Sequence, residues 1–301
     1  MNADPEKAAT LLSVISVIHR LDNLKEILET YVWQSADKNY FEIVFGLTNP
    51  ATDIEAKAII LQELCDKGLS YTITDCLGES NCVARNKLAK QAHGNILVFV
   101  DGDVLLHPSM ITEHMKLGSN QVGIGIANID VRNFDGELLI ALQLEQAKGY
   151  FCKYASFGKV TFQQITNYLG LERALELAKV NNQKNLTDYL NVSGRNFSIF
   201  RTAFFEIGMF NVDLEYSVTS TSRGWEDTAL GCAAYEHKMD FVQIPSWVVH
   251  PVHTSSGRID VDTGFGNAIK LVKKYPWIIT QRPDWFERVN YNIEEFKHHV
   301  E

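Results

Sequence analysis

Positive charge is what this 301-residue chain is short of: 28 lysines and arginines face 37 aspartates and glutamates, a formal net charge of −9, and no basic run occurs. A nucleic-acid surface needs a cationic stripe, so that class of partner is excluded. Long apolar runs are also missing. Met1-Asn2-Ala3-Asp4-Pro5-Glu6-Lys7 is polar, and the first apolar stretch, Leu11 to Ile18, is short and broken by Ser13 and Ser16. That fits neither a signal peptide nor a membrane span, so a soluble, cytoplasmic chain without a transmembrane segment is expected. The five cysteines (Cys65, Cys76, Cys82, Cys152, Cys232) are odd in number and form no C-x-x-C pair. They read as reduced thiols, with neither a disulfide framework nor a zinc site. No internal repeat, low-complexity tract or linker interrupts the chain. With 46% hydrophobic and 22% charged residues, it can bury the core of one large α/β domain.

The apolar pattern alternates between strand and helix. Leu11 to Ile18 reads as a buried strand, and Asp22 or Asn23 caps a helix carrying Leu24, Ile27, Leu28, Tyr31 and Val32 at helical spacing. Phe41–Leu47 is a second strand. A helix opening at Thr52 or Asp53 runs to near Gly68, and Tyr71–Thr74 is a short third strand. Ser80–Ala92 is helical and ends at His93-Gly94, and Asn95–Val100 is a fourth strand. Such alternation predicts βαβ units and a mainly parallel, Rossmann-like sheet, here without a G-x-G-x-x-G or P-loop sequence. Beyond it, Ser109–Leu117 reads as helix and Gln121–Ala127 as strand. Residues 138–190 read as a mostly helical, aromatic-rich insertion. Strand follows at Asn196–Phe200, helix at Glu226–His237, and strand segments at Phe241–Ile244 and Trp247–Val249. Helices near Phe265–Lys274 and Ile293–His299 form an amphipathic tail.

Three stretches carry chemistry. The buried run Asn95-Ile96-Leu97-Val98-Phe99-Val100 stops at Asp101-Gly102-Asp103. Residues two apart on an extended segment point the same way, so both carboxylates can face one ligand at the strand's carboxyl end, where open α/β sheets bind ligands. Hard oxygen donors suit Mg²⁺ or Mn²⁺ together with substrate diphosphate oxygens, although Asp-Gly also occurs in plain acidic turns. Gly224-Trp225-Glu226-Asp227 opens a helix after a polar loop, Ser217–Arg223. Acidic residues suit any helix start through the dipole. They also supply a general base, with Trp225 as a stacking face for a sugar. Trp247-Val248-Val249-His250-Pro251-Val252-His253 places two histidines after an apolar strand, either as loop residues or as a further metal ligand. The loop Thr254-Ser255-Ser256-Gly257-Arg258 brings one guanidinium suited to closing over a diphosphate.

Taken in order, these motifs resemble family 2 glycosyltransferases of the GT-A fold. The resemblance rests on His19-Arg20 after the first strand, Ala84-Arg85-Asn86, and the strand ending in Asp101-Gly102-Asp103. The C-terminal half resembles the galactosyltransferase and chondroitin-polymerase type. It carries Ser193-Gly194-Arg195-Asn196-Phe197-Ser198-Ile199, Phe204-Phe205-Glu206-Ile207-Gly208-Met209-Phe210, Gly224-Trp225-Glu226-Asp227 and the histidine strand end.

The resemblance covers roughly residues 11–130 and 190–258. It implies a single domain: a nucleotide-sugar-binding half (11–130), a helical insertion (131–190), an acceptor and metal half (191–258) and a helical tail (259–301). It further implies a metal-dependent, inverting transfer of a hexosyl group from a nucleotide-diphosphate sugar to a hydroxyl of a glycan, lipid-linked saccharide or glycoside. By position, Asp103 binds metal, Asp101 contacts ribose or metal, and His250, or else His253, completes the site. Arg85 lies near the nucleotide, Asp227 is the base, and Glu226 holds the acceptor. The family's acidic residue after the second strand, which reads uracil, is replaced here by Leu47-Thr48-Asn49. Thr48 or Asn49 then offers a neutral hydrogen bond to the base of a UDP-sugar donor. Two other classes compete: a catalytically silent nucleotide- or carbohydrate-binding protein of this fold, and a nucleotidyltransferase. The latter calls for a Gly-rich basic loop near the first strand, which is lacking.

Overall fold

Three apolar runs, each buried on both faces, set the frame: β1 (Leu12–Ile18), β2 (Phe41–Leu47) and β4 (Ile96–Asp101). A strand buried along its length has no solvent face to offer and is stable inside a sheet covered by helices on both sides. The computed structural model describes residues 11–22, 24–130, 188–214, 224–250, 261–289 and 291–300. β1 pairs in parallel with both β2 and β4, and β2 with β3 (Ser70–Asp75). Helices α1 (Leu24–Val32), α2 (Asp53–Leu64) and α3 (Asn81–Gln91) make the crossovers. The chain steps outward from β1 to β2 and β3, then returns to the other side of β1 as β4. The order reverses between β1 and β4, and ligands of such sheets bind at the carboxyl ends flanking that point.

The second half extends this sheet with β5 (Leu105–Leu106), β6 (Gln121–Asp130), β7 (Phe197–Phe200) and β8 (Asp240–His250), in the spatial order β3-β2-β1-β4-β7-β6-β8-β5. Pairings β4–β7, β6–β7 and β5–β8 are antiparallel, whereas β6–β8 is parallel. The sheet is therefore mixed, with its parallel core where the alternating pattern predicts it. Short helices α4 (Met110–His114) and α5 (Arg201–Glu206) flank it. α6 (Glu226–Glu236) follows, then α7 (Val261–Lys274), α8 (Trp277–Gln281), α9 (Pro283–Val289) and α10 (Ile293–Val300). Phe99 stacks on Phe197 at 4.8 Å between centroids and meets Phe204 at 5.1 Å and Phe210 at 5.2 Å. This aromatic cluster joins β4 to the second half.

Several expectations are corrected. The helix expected over Ser109–Leu117 is only Met110–His114. The two segments expected at 241–249 are one strand, in which Pro245 falls at a register shift: Ile124 faces Gln243, but Ile126 faces Trp247. A bulge is where a strand tolerates proline, which lacks the ladder donor. The sequence reading also missed β5, α5, α8 and α9. The insertion expected over 131–190 lies outside the described residues, apart from Asp188 and a 3-10 turn at Tyr189–Asn191. Among the described residues no helix is long and apolar enough to cross a membrane.

Candidate active site

Arg85 is the centre of the site. α3 starts at Ser80, whose hydroxyl accepts a hydrogen bond from the Val83 amide, and its second turn presents Arg85 and Asn86 to the second half. The Asn86 amide clamps the Phe210 backbone in both directions: Nδ2 donates to the carbonyl at 2.9 Å, and Oδ1 accepts from the N–H at 3.0 Å. Arg85, only 4% exposed, lies 5.3 Å from the Phe210 ring centroid. Its Nη2 donates to Asp101 Oδ1 at 2.7 Å, and its Nη1 donates to Asp227 Oδ1 at 3.3 Å and lies 3.6 Å from Glu226 Oε1. A buried guanidinium carries a large desolvation cost, which three carboxylates offset. They hold its pKa above the usual arginine value despite that burial, Asp227 contributing most.

The carboxylates come from two places. Asp101 ends β4 opposite Val17. There the chain turns at Gly102, where an added methyl would overlap the Val17 carbonyl, so only glycine lets the turn lie against β1. Glu226 and Asp227 open α6, whose preceding residue, Trp225, is left-handed at φ 62°. That conformation costs a non-glycine residue on the order of 1 kcal/mol. Trp225 is held in it by its indole N–H, which donates to the Gly264 carbonyl at 2.9 Å, and by edge contact with Trp285 at 5.1 Å.

A third segment closes the site. The Gly194 N–H donates to Asp227 Oδ2 at 2.7 Å, and Arg195 Nε donates to Asp101 Oδ2 at 3.3 Å. An added methyl at Gly194 would overlap the Arg85 guanidinium. Both oxygens of Asp101 and both of Asp227 thus accept hydrogen bonds. Glu226, 9% exposed, has its carboxyl pushed up to about 7, first by burial and then by Asp227, with Arg85 opposing. Burial also raises Asp227 above the usual carboxylate range, against Arg85 and the Gly194 amide. These groups face a cavity of about 420 Å³, lined also by Asn81, Ser193, Trp225 and Thr228. Its chemistry is that of a polar, carboxylate-rich pocket with a fixed cation behind it.

Five of the expected site residues, Arg85, Asp101, Trp225, Glu226 and Asp227, therefore meet in one cavity. Thr48, Asn49 and Asp103 are not part of its lining. Thr48 is 1% exposed, with its hydroxyl 3.2 Å from His19 Nδ1. The Asn49 amide donates to the His19 carbonyl at 3.1 Å, so both residues tie the end of β2 to that of β1. The strand ends at Asp101, and Asp103 lies beyond it in the turn, which corrects the expectation of two carboxylates on one extended face. His250 ends β8, but its side chain, His253, Arg258 and the polar loop Ser217–Arg223 lie outside the described residues. The sequence reading missed the roles of Arg195, the Gly194 amide and Asn81. A signal for the first two existed in Ser193-Gly194-Arg195-Asn196, but nothing in the sequence shows which carboxylates they meet.

Among the described residues no three His, Cys, Asp or Glu side chains converge as a metal cage. Mg²⁺ and Mn²⁺ do not require one, since one or two carboxylates and substrate phosphates hold them. Both oxygens of Asp101 already serve two guanidiniums, and Asp103 lies in the turn after β4. Leu105 pairs with Val249, so the end of β8 at His250 lies one register step further, toward the same turn.

No family model matches the sequence, and no curated protein sequence does. Solved structures do match by shape. S. aureus TarS superposes with a TM-score of 0.54 at 14% identity, over 89% of this chain and 39% of that one. GalNAc-T7, solved with UDP, GalNAc and Mn²⁺, gives 0.55 at 15% identity, over 96% and 54%. A mannosyltransferase from Pyrobaculum calidifontis, in complex with GDP-Man and Mn²⁺, gives 0.51 at 12% identity, over 81% and 58%. The chain thus spans between 39% and 58% of the length of these proteins. At such identities likeness establishes the fold alone, and the fold of this chain is that of the GT-A glycosyltransferases.

Proposed function

We propose that the chain is a metal-dependent, inverting glycosyltransferase of the family 2 type, moving a hexosyl group from a nucleotide-diphosphate sugar to a hydroxyl of a glycan, lipid-linked saccharide or glycoside. One observation carries this reading. Arg85 binds, in a single buried cluster, the Asp101 carboxylate at the strand end where such sheets hold their ligands and the Glu226–Asp227 pair at the start of α6. A donor end and an acid–base end within one cavity are what a displacement at a sugar carbon requires.

In this reading the acceptor oxygen forms its bond to the anomeric carbon as the bond to the diphosphate oxygen breaks. The hydroxyl proton passes to Asp227, and the nucleoside diphosphate leaves. Arg85 and the Gly194 amide keep the Asp227 carboxylate aimed while its charge changes. Glu226, partly protonated near neutral pH, holds the acceptor by hydrogen bonding, and Trp225 borders the sugar. Arg85 and Arg195 position Asp101 beside the ribose, and Asn49, less buried than Thr48 at the end of β2, lies toward the base, with a UDP-sugar as the favoured donor. Asp103, with His250 or His253, would hold Mn²⁺ or Mg²⁺, which when bound neutralises charge on the leaving diphosphate. Arg258 closes over that diphosphate.

Thermal-shift measurements with UDP- and GDP-sugars, with and without Mn²⁺, test the reading. A ligand at a hundred times its Kd adds about 2.7 kcal/mol, so a donor should raise Tm by several degrees and more with Mn²⁺. No shift with any nucleotide sugar would sink it. The double ion pair on Asp101 favours a second reading, a silent nucleotide- or carbohydrate-binding protein. That protein would show the shift and no turnover.

A further inference from the structure

A fully buried polar cluster stands behind the site, and the reaction as proposed makes no direct use of it. His114, the last residue of α4, is 0% exposed, as are Asn196 and Ser198. Its Nε2 lies 2.8 Å from Asn196 Oδ1, and its Nδ1 2.7 Å from Ser198 Oγ. An amide oxygen only accepts, so Nε2 carries the hydrogen and Nδ1 accepts from the serine hydroxyl. Both nitrogens of a neutral imidazole are thereby satisfied, and burial keeps it neutral, lowering its pKa to about 4. Asn196 is tied at its other groups too. Nδ2 donates to the Ile126 carbonyl at 3.2 Å, and its own carbonyl accepts from the Gly125 amide at 2.9 Å. Its N–H donates to the Ser193 carbonyl at 3.1 Å and closes the turn 193–196. A methyl at Gly125 would overlap the Asn196 amide, so β6 leaves room for that side chain.

An apolar cluster of the same volume would fill this space without the cost of burying the five polar side-chain groups of His114, Asn196 and Ser198. Directional bonds add a fixed position for Asn196, which apolar packing does not specify as tightly. That position matters because the next residues back along the chain are Arg195, on Asp101, and Gly194, on Asp227.

We infer that His114 is a positioning residue: through Asn196 it sets where the Gly194 amide and Arg195 meet Asp227 and Asp101, although it touches nothing in the cavity itself. The consequence for catalysis rests on the role proposed for Asp227, whereas the mechanical claim does not.

Two variants of the full chain separate positioning from core filling. The His114→Gln amide reaches the place of Nε2 and can keep the bond to Asn196. The His114→Asn amide reaches only the place of Nδ1, keeping Ser198 and losing Asn196. Hydrogen exchange is read by NMR on protein labelled with ¹⁵N-glycine and ¹⁵N-valine, comparing Gly194 with the core amide of Val14 in β1. Local opening moves the first without the second. His114→Asn should speed exchange at Gly194 at least tenfold more than at Val14, and His114→Gln should change the two by similar factors. Ser198→Ala removes the other partner, and it too should move both amides together. If Gly194 and Val14 change in step in His114→Asn, the cluster is core packing; if Ser198→Ala loosens Gly194 as selectively as His114→Asn does, the bond from His114 to Asn196 is not what places it, and either result overturns the inference. Because exchange needs no substrate, this outcome is independent of whether the chain transfers sugar. Where transfer is measured, kcat should fall about tenfold in His114→Asn and the donor KM should rise as Arg195 loosens on Asp101, and His114→Gln should keep both near wild type.

Discussion

Glu226 should weaken the fold at the pH at which the site works, and Glu226→Gln measures by how much. Its folded pKa, about 7, lies above the ordinary 4.5, to which it returns on unfolding. The buried side chain is therefore tolerated in its protonated form. Its stability contribution is fully present below the unfolded value and is lost as pH rises toward the folded one. At ~1.4 kcal/mol per pKa unit, holding the ionised form in place costs the fold about 3 kcal/mol at pH 8 and less than about 1 kcal/mol at pH 5. Glutamine keeps the shape and cannot ionise. With an unfolding entropy of ~2.1 cal/mol/K per residue, a chain of this length loses roughly 0.6 kcal/mol per degree near Tm. Glu226→Gln should therefore melt about 5 °C above wild type at pH 8 and within about 1 °C of it at pH 5. Differential scanning fluorimetry in buffers of equal ionic strength reads this directly. A difference that is constant across pH, or that shrinks as pH rises, would refute the reasoning, because Arg85 would then compensate the ionised carboxylate in full.

Other expected outcomes concern the cation. Asp103→Asn keeps size and removes one negative charge, so nucleotide-sugar binding should become weak and insensitive to Mn²⁺ in titration calorimetry. Wild-type turnover at limiting Mn²⁺ would exclude Asp103 as a ligand. His250→Ala should raise the Mn²⁺ concentration needed for half-maximal activity far more than His253→Ala, and activity should fall on the acid side as a ligating imidazole protonates. The reverse order would move the ligand to His253.

The parallel half of this fold is legible because single positions decide it. β1, β2 and β4 are mostly apolar runs bounded by polar turns, and Ser80 marks the start of α3 with a side chain that does cap it. The second half is less legible because long-range pairing decides it. Leu105–Leu106 is a strand only because Val248 and Val249 lie opposite, and Pro245 splits β8 by eye where the register shift absorbs it. At the site, Asp101, Arg85, Glu226 and Asp227 stand out as charged residues at element ends. Their mutual distances, 142 residues apart in the case of Arg85 and Asp227, have no local signature. Trp225 illustrates the same limit: a tryptophan beside two acids reads as a stacking face, yet its indole N–H and one edge serve Gly264 and Trp285. The neutral His114 cluster left no trace, since His114 lies 82 residues before Asn196 and 84 before Ser198, and all three read as ordinary polar residues.

The central claim is a single direct displacement assisted by Asp227 from the side of the sugar opposite the leaving diphosphate. Proton NMR of the transfer reaction, followed from its first minutes, reports the configuration of the new anomeric centre before it can equilibrate. The account predicts a product of opposite configuration to the donor. It also predicts that Asp227→Asn loses about 10²–10⁴ in kcat while still binding donor and Mn²⁺. A product that keeps the donor's configuration, or an Asp227→Asn variant with wild-type turnover, would contradict it.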